Sequence, residues 1–396
     1  MNILVLSFYY QPDLSAGSFR ATALVRALRE KLPAVSHIDV VTTIPNRYST
    51  FDSEASERES SEGLDIHRIK LPRHKSGMAD QAKAYLYFAK EVLAFTNQRQ
   101  YELIFVTSGR LMTASLGAWV ARGQKAKLYL DIRDIFVDTI NDVLPLKYSL
   151  LTKQLFSLLE RWTIGQADKV NLVSRGFKPY FDARYPAQKF SFFTNGIDDE
   201  FISAVFESNQ SAVKTGPASV LYAGNIGEGQ GLHTIVPALA QRMAGRVNFK
   251  LIGDGGRKAA LKSALEQAGV ANVELLPPIN RDQLIQAYRN ADVLFLHLND
   301  FDAFKKVLPS KLFEYAATGK PIWAGVSGHA AEFVKSEISN AAVFNPCNSI
   351  EADEAFSSLT IAHSTRQGFV DKFARVNIME EMADDVLSLV HGNALG

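Results

Sequence analysis

One motif limits the architecture open to this chain, and it occurs twice. The β-branched and aromatic run Asn2–Phe8 leads through a loop holding Pro12 and Gly17 into Phe19–Leu32. There Ala23, Leu24, Ala27, Leu28 and Leu32 recur near helical spacing. After Asn195-Gly196-Ile197-Asp198 the pattern restarts. The strand Ser219–Tyr222 leads through Ala223–Gly231 (A-G-N-I-G-E-G-Q-G) into the helix Leu232–Met243. Strand, glycine-bearing loop and helix open a nucleotide-binding half. The first loop lacks a G-x-G-x-x-G, since Gly17 stands alone, so a conventional dinucleotide site is weakly supported.

Strand-like runs at Ile38–Thr42, Leu103–Thr107, Lys127–Leu130, Lys169–Val173 and Phe190–Thr194 follow the first opening. Helical patterns at Ala79–Thr96, Leu111–Ala121, Lys147–Ile164 and Phe177–Ala183 separate them. Asn248–Ile252, Val273–Leu276 and Asp292–Leu298 continue the second half, with helices Arg257–Ala268 and Asp282–Asn290 between them. Such alternation predicts an α/β chain of two Rossmann-like, doubly wound parallel-sheet domains. The length of 396 residues suits two domains. Residues 1–196 are expected to form the first and residues 197–375 the second. Lys214–Ala218 (K-T-G-P-A) has linker character. In the tail, Phe373, Val376, Met379, Met382, Val386, Leu389 and Val390 give Gln367–His391 an apolar stripe. Residues 376–396 are expected to pack back on the first domain. Pro45–Leu64 is polar and reads as a surface loop, with a lid as the functional alternative.

Bulk properties remove several classes of function. A net charge of +1, from 43 basic and 42 acidic residues, lacks the basic footprint of nucleic-acid binding. Cys347 is the single cysteine, so neither an internal disulfide nor a cysteine-based metal site is expected, and a reducing, cytoplasmic compartment fits. The N-terminus MNILVLSFYYQPD has no basic n-region and reads as a first strand rather than a signal peptide. No apolar run reaches the ~20 residues of a membrane span. Histidines 37, 67, 74, 233, 297, 329, 363 and 391 show no metal-ligand spacing. No serine-hydrolase or P-loop motif occurs.

The chemistry gathers in Leu308–Pro321 (L-P-S-K-L-F-E-Y-A-A-T-G-K-P). It follows the apolar run Ala291–Leu298; Ser310 reads as an N-cap, and Gly319 with Pro321 ends the helix. A helix start after a strand suits phosphate, and Lys311 in its first turn opposes the dipole unless an anion sits nearby. Glu314 lies on the face of Ser310, one turn in, suited to a ribose diol. An ordinary capped helix explains the same residues. Gly224 and Gly227 allow close backbone approach to a ligand, and Gly253 and Gly255 with Lys258 resemble an anion nest. Asp300-Phe301-Asp302 would suit a metal, but a polar loop is the better reading, because Lys305, Lys306 and Lys311 already supply positive charge. In the first half, Arg20 follows Gly17, within reach of a phosphate, or is a solvated helix residue. Asp131-Ile132-Arg133-Asp134 ends a strand at the interdomain cleft. Asp131 or Asp134 would act as base or polar guide for a hydroxyl acceptor, or form a structural ion pair with Arg133.

In this order the pieces resemble the family 4 retaining glycosyltransferases of GT-B fold. The marks are Y-A-G-N-I-G-E-G-Q-G-L (Tyr222–Leu232), L-I-G-D-G-G-R-K (Leu251–Lys258), A-D-V-L-F-L (Ala291–Leu296) and Leu308–Pro321. Pro12–Arg20, Asp131–Phe136 and N-G-I-D add to them from the first half. Within the family the chain looks most like the bacterial O-antigen and capsule branch that includes L-fucosamine transferases. The resemblance implies a nucleoside diphosphate sugar, often UDP-linked, as donor substrate, a lipid-linked glycan as acceptor, retention of anomeric configuration, and no cofactor or metal. It implies that Glu314, the later glutamate of E-x₇-E, holds the ribose, that Ser310 and Lys311 meet the diphosphate, and that Pro277, Pro278 and Ile279 take the base. Lys306 stands where the first glutamate belongs, and Asn225 and Gln230 where many relatives carry Arg and Lys. Lys258, Lys306 and Lys311 are then the candidates to meet the diphosphate charge. A sugar-nucleotide epimerase and a non-catalytic nucleotide-sugar-binding protein are the alternatives, and a dehydrogenase a distant one. Lys147–Arg161 is apolar on one side with Lys147 and Lys153, which fits peripheral contact at the inner face of the cytoplasmic membrane; a core-facing helix is the preferred reading.

Overall fold

A computed structural model of the chain describes residues 1–13, 15–45, 55–72, 78–135, 146–204, 206 and 216–391. It divides into two compact units, Met1–Asn195 with Arg375–Gly396, and Gly196–Ala374.

The first unit is built on an eight-stranded sheet. Its strands are β1 (Asn2–Ser7), β2 (His37–Thr43), β3 (Arg58–Ser61), β4 (Leu64–Ile69), β5 (Leu103–Ser108), β6 (Lys127–Ile132), β7 (Lys169–Leu172) and β8 (Phe190–Ser191). They lie in the order β3-β4-β2-β1-β5-β6-β7-β8, all parallel except the β3–β4 pair. β1, β3 aside, is the topological switch: the chain winds outward one way through β2 and β4, then the other way through β5, β6 and β7. Apolar β-branched strands buried on both faces, such as Leu103–Ser108 (LIFVTS), require this arrangement.

The second unit carries a six-stranded parallel sheet of β9 (Ala218–Ala223), β10 (Val247–Ile252), β11 (Val273–Leu276), β12 (Val293–His297), β13 (Ile322–Gly325) and β14 (Ala341–Phe344). The order β11-β10-β9-β12-β13-β14 puts the switch between β9 and β12. Trp323 is fully buried in this sheet, stacked on Phe249 and edge-to-face with Phe295, and its Nε1 donates to the Ala352 carbonyl at 2.9 Å.

Four expectations change. Pro45–Leu64 is not loop throughout: Arg58–Ser61 pairs with β4 as an antiparallel edge strand, while residues 46–54 of the expected lid lie outside the described residues. β6 runs on to Ile132, which places Asp131 inside the sheet rather than at its edge. The tail is two helices, Gln367–Phe373 and Arg375–His391, broken at Ala374. The break shifts the stripe, so Val376 is exposed while Ile378 and Leu387 are buried. Helix Arg375–His391 packs on helix Ala16–Lys31, and Asp385 accepts from the Tyr129 hydroxyl at 2.8 Å and the Ser191 hydroxyl at 2.7 Å. Finally, helix Leu146–Gln166 buries Glu160, Thr163 and Ile164 but leaves Leu155 and Leu158 exposed, so it is only partly core-facing. The Lys147 side chain and residue Lys214 lie outside what the structure describes.

Candidate functional site

In the second unit the carboxyl ends of β9, β10 and β12 carry most of the expected residues. Gly224 follows β9 with φ +141°, a conformation that side chains rarely adopt. The Lys311 side chain occupies the space a substituent would fill, its Nζ 2.2 Å from the ideal Cβ position. That ammonium is 3.3 Å from the Tyr222 hydroxyl and 4.8 Å from the ring centroid. Gly253, with φ +152°, follows β10, and a Cβ there would lie 1.8 Å from the Gly224 carbonyl oxygen. Gly255 approaches the Ile226 carbonyl in the same way. The two glycine turns are thus stacked backbone on backbone.

Their amides are already used. Gly224 N donates to Ile252 O at 2.8 Å, Ile226 N to Asp254 O at 2.8 Å, and Gly253 N to Leu276 O at 3.1 Å. Gly255 N donates to its neighbour Asp254, and Lys258 Nζ donates to the Gly253 carbonyl at 2.8 Å. The expected anion nest at Gly253, Gly255 and Lys258 is therefore closed on itself: these residues hold the turn against the β9 loop. Asn225 and Gln230 also shape that loop. Asn225 Nδ2 donates to Gln230 Oε1 at 2.8 Å, and the same oxygen accepts from Gly227 N at 3.2 Å. His297, the last residue of β12, is fully buried beneath it. Its Nε2 accepts from Cys347 N at 2.9 Å, so Nδ1 carries the proton and donates to the Gln230 carbonyl at 2.7 Å. Burial pushes this imidazole down to about 4, although the Gln230 carbonyl favours protonation.

The helix begins at Lys311, where an N-cap at Ser310 puts it, and ends at Ala317. Ser310 holds the N-cap position, but it has helical dihedrals and its side chain makes no capping hydrogen bond, so the hydroxyl is not spent on the helix start as the sequence suggests. Glu314, one turn in, is half-buried. The Tyr288 hydroxyl lies 3.3 Å from its Oε2, and Arg281 Nη1 lies 3.9 Å from Oε1. Arg281 also pairs with Asp198 and Glu200 and stacks on Phe201. Burial works against the Arg281 charge, but Glu314, Asp198 and Glu200 outweigh it and raise its pKa. Pro278 and Ile279 follow β11 and lead into helix Arg281–Asn290, which is capped by Asn280 and Gln283. Lys306 ends the short turn Asp302–Lys306, half-buried, and Phe304 of this turn packs over Gly229. Asp302 is exposed and pairs with Lys305 at 2.6 Å, which holds its carboxyl below the usual range.

In the first unit, the fully buried Asp131 receives four hydrogen bonds: from Arg20 Nε at 2.8 Å, Arg20 Nη2 at 2.9 Å, Thr107 Oγ1 at 2.8 Å and Asn171 Nδ2 at 2.8 Å. Arg20 is 1% exposed and also donates to the Phe193 and Thr194 carbonyls. Burial raises the Asp131 pKa, but Arg20 and the other donors outweigh it and keep the carboxyl below its ordinary range. This pair is a tie between helix Ala16–Lys31, β6 and the 193–194 segment. Neither a phosphate contact by Arg20 nor base catalysis by Asp131 survives that placement. Arg133, Asp134 and Gly17 do stay together at the carboxyl end of β6. The Arg133 guanidinium fills the space beside Gly17, 1.9 Å from its ideal Cβ position, and Asp134 Oδ2 lies under Gly109. Burial pushes the Asp134 carboxyl up to about 6, against the pull of Arg133. A carboxyl titrating there is a better proton acceptor near neutrality than an ordinary aspartate.

Sequence reading missed Tyr222, Arg281, Tyr288 and the role of His297. Arg281 and Tyr288, seven residues apart on one helix face, carried the only periodic signal among them.

Residues 17–196 match the "Glycosyl transferase 4-like domain" family, and residues 205–372 match "Glycosyl transferases group 1". A stretch of 173 residues is 28% identical to WcaI of Escherichia coli (strain K12), provisionally named a colanic acid biosynthesis glycosyl transferase. That match spans 42% of this chain and 42% of WcaI. Sucrose-phosphate synthase of Thermosynechococcus elongatus has the same fold, with TM-score 0.74 and 15% identity over 99% of this chain and 100% of that one. HepE of Anabaena in complex with UDP gives TM-score 0.65 and 17% identity over 98% of this chain and 100% of that one.

Proposed function

We propose that this chain, which belongs to the GT-B glycosyltransferases of group 1, moves a sugar from a nucleoside diphosphate donor, UDP-linked, to a hydroxyl of a lipid-linked glycan in bacterial surface polysaccharide synthesis. The observation that carries this reading is the pairing of Lys311 over Gly224 with Glu314 one turn further on. An ammonium held against a backbone turn at the switch point of a doubly wound sheet suits a diphosphate. The carboxylate behind it, oriented by Tyr288 and Arg281, suits a ribose diol. The UDP complex of HepE and the colanic acid assignment of WcaI support the donor and the pathway class.

In this reading the second unit binds the donor. Lys311 and Ser310 meet the diphosphate, Glu314 the ribose, and the backbone of 277–279 the base. Lys306 offers positive charge from the adjoining turn. Asp134 and Arg133, beside Gly17, orient the acceptor hydroxyl in the first unit. Transfer proceeds with retention: the hydroxyl attacks the face from which the diphosphate leaves, and the departing phosphate takes its proton. The residues supply leaving-group stabilisation and positioning, without a metal.

The test is titration calorimetry with UDP and UDP-sugars on wild type and Glu314→Ala. The variant should stay folded and bind at least tenfold more weakly. Unchanged affinity refutes the site. Donor turnover without any acceptor would favour the epimerase, and binding without transfer to any lipid-linked acceptor a non-catalytic protein.

Peripheral membrane contact belongs to the same proposal. Helices Leu111–Gln124 and Leu146–Gln166 pack together and expose Trp119 (63%), Leu155 (66%) and Leu158 (64%). The Trp119 and Trp162 rings lie 6.4 Å apart and join the two apolar stripes. Glu160 is the one acidic residue in either helix, and it is buried on the Tyr180 and Tyr185 hydroxyls, while Arg122 and Arg161 are exposed. Exposed tryptophan and leucine among cations, with no exposed acidic side chain among the described residues of these two helices, fit an anionic lipid headgroup layer. No helix among the described residues is long and apolar enough to cross a membrane.

A further inference from the structure

Read along the chain, the histidines show no ligand spacing, but the sheet brings two of them together with two aspartates. His37 and Asp39 stand two apart on β2, and Asp65 and His67 two apart on β4, so each pair shares one face of its strand. The strands are parallel, with Asp39 beside Asp65 and Val41 beside His67. An H-x-D pattern thus lies alongside D-x-H.

The separations within the cluster are informative. His37 Nε2 is 3.3 Å from Asp65 Oδ2 and 3.7 Å from Asp39 Oδ1, and His67 Nε2 is 3.6 Å from Asp39 Oδ1. One ligand atom each from His37, Asp39 and Asp65 falls within a 4.8 Å span. A tetrahedral ion with bonds of about 2.0–2.2 Å has ligand–ligand edges of about 3.3–3.6 Å. The polar atoms are spaced as such edges rather than as close hydrogen bonds.

Two of these atoms have no hydrogen-bond partner. Asp39 is 4% exposed, and its Oδ1 and His67 Nε2, both buried, face each other at 3.6 Å, too far apart to satisfy one another with a hydrogen bond of ordinary length. The other Asp39 oxygen is occupied: the Tyr101 hydroxyl donates to Oδ2 at 2.7 Å, and Arg99 Nε lies 3.5 Å away. Ser60 likewise donates to Asp65 Oδ1, leaving Oδ2 toward His37. Partners on the far oxygens that aim the near ones inward are the outer shell a metal site needs. Two carboxylates offset a dication, with Arg99 a further cation on the far oxygen of Asp39, and an imidazole with two carboxylates makes a borderline ligand set of the kind zinc takes.

We propose that His37, Asp39 and Asp65 bind a divalent ion of the zinc class, with His67 holding Asp39 beside it. The site lies where β2 begins, at the opposite end of the strand from the carboxyl edge. It ties β2 to β4 and serves stability rather than transfer. The inference is independent of the donor site.

The test uses the full chain, stripped with chelator and dialysed. Zn²⁺ alone is titrated by calorimetry into wild type, His37→Gln and His67→Gln, with circular dichroism to confirm that each variant is folded. Wild type should take up one equivalent, and each variant should bind at least tenfold more weakly. Zn²⁺ should raise the melting temperature of wild type and fail to raise that of His37→Gln. Absence of stoichiometric binding, or equal affinity in folded variants, overturns the assignment. Uptake that instead disappears with Cys347→Ser overturns it as well.

Discussion

The Lys311 ammonium stands where a side chain at position 224 would be, 2.2 Å from the Cβ that Gly224 lacks. Lysine and glycine are thus one device: the missing side chain lets the charge rest on the backbone turn. Gly224→Ala should displace Lys311 and impose an alanine at φ +141°. We expect ~1–2 kcal/mol of lost stability and at least a tenfold loss of UDP affinity. Lys311→Met should lose the same affinity without the stability cost. Calorimetry beside thermal melting separates the two effects, and a Lys311→Met protein that binds UDP normally would contradict the device.

Arg20 and Asp131 set a different test. Removing one partner of a fully buried ion pair strands the other charge. Arg20→Met should cost ~3–5 kcal/mol in urea unfolding, and adding Asp131→Leu should restore part of it. If Arg20→Met were stable and only donor binding suffered, the pair would be functional rather than architectural.

His297 predicts a pH dependence. Its pKa is about 4 when folded, below the ordinary value of 6.5. Above 6.5 both states are neutral. As the pH falls from 6.5 towards 4, the unfolded chain takes up a proton that the folded chain excludes, so stability falls across that window. His297→Gln should melt with a shallower acid dependence than wild type between pH 7 and 4.5. Parallel curves for the two proteins would show that the imidazole does not carry the effect.

The exposed ridge of Trp119, Leu155 and Leu158 should bind vesicles containing anionic phospholipid and release them as salt rises. A Trp119→Ser/Leu158→Ser variant should pellet with such vesicles several-fold less while its UDP affinity is unchanged. Equal sedimentation of the two proteins would place the contact elsewhere.

The sequence by itself determined the architecture, because periodicity and glycine punctuation are local. Asn2–Phe8 and Ser219–Tyr222 announce first strands through their own composition, and the alternation that follows leaves a parallel sheet as the solution. It also marked Lys311 and Glu314, since helix spacing puts both in the first turn of the helix that follows a buried strand and its loop. Tertiary structure alone decided the rest. Asp131 and Asp134 are three residues apart and look equivalent in the chain. Two further residues of β6 bury the first against Arg20, while the second stays at the edge with a carboxyl near 6. Lys258 looked like Lys311 until the Gly253 carbonyl claimed it. Strand register, not spacing along the chain, joined His37 and Asp39 to Asp65 and His67. The physical reason is common to all three: burial and partners fix what a charged side chain does, and both come from residues distant in sequence.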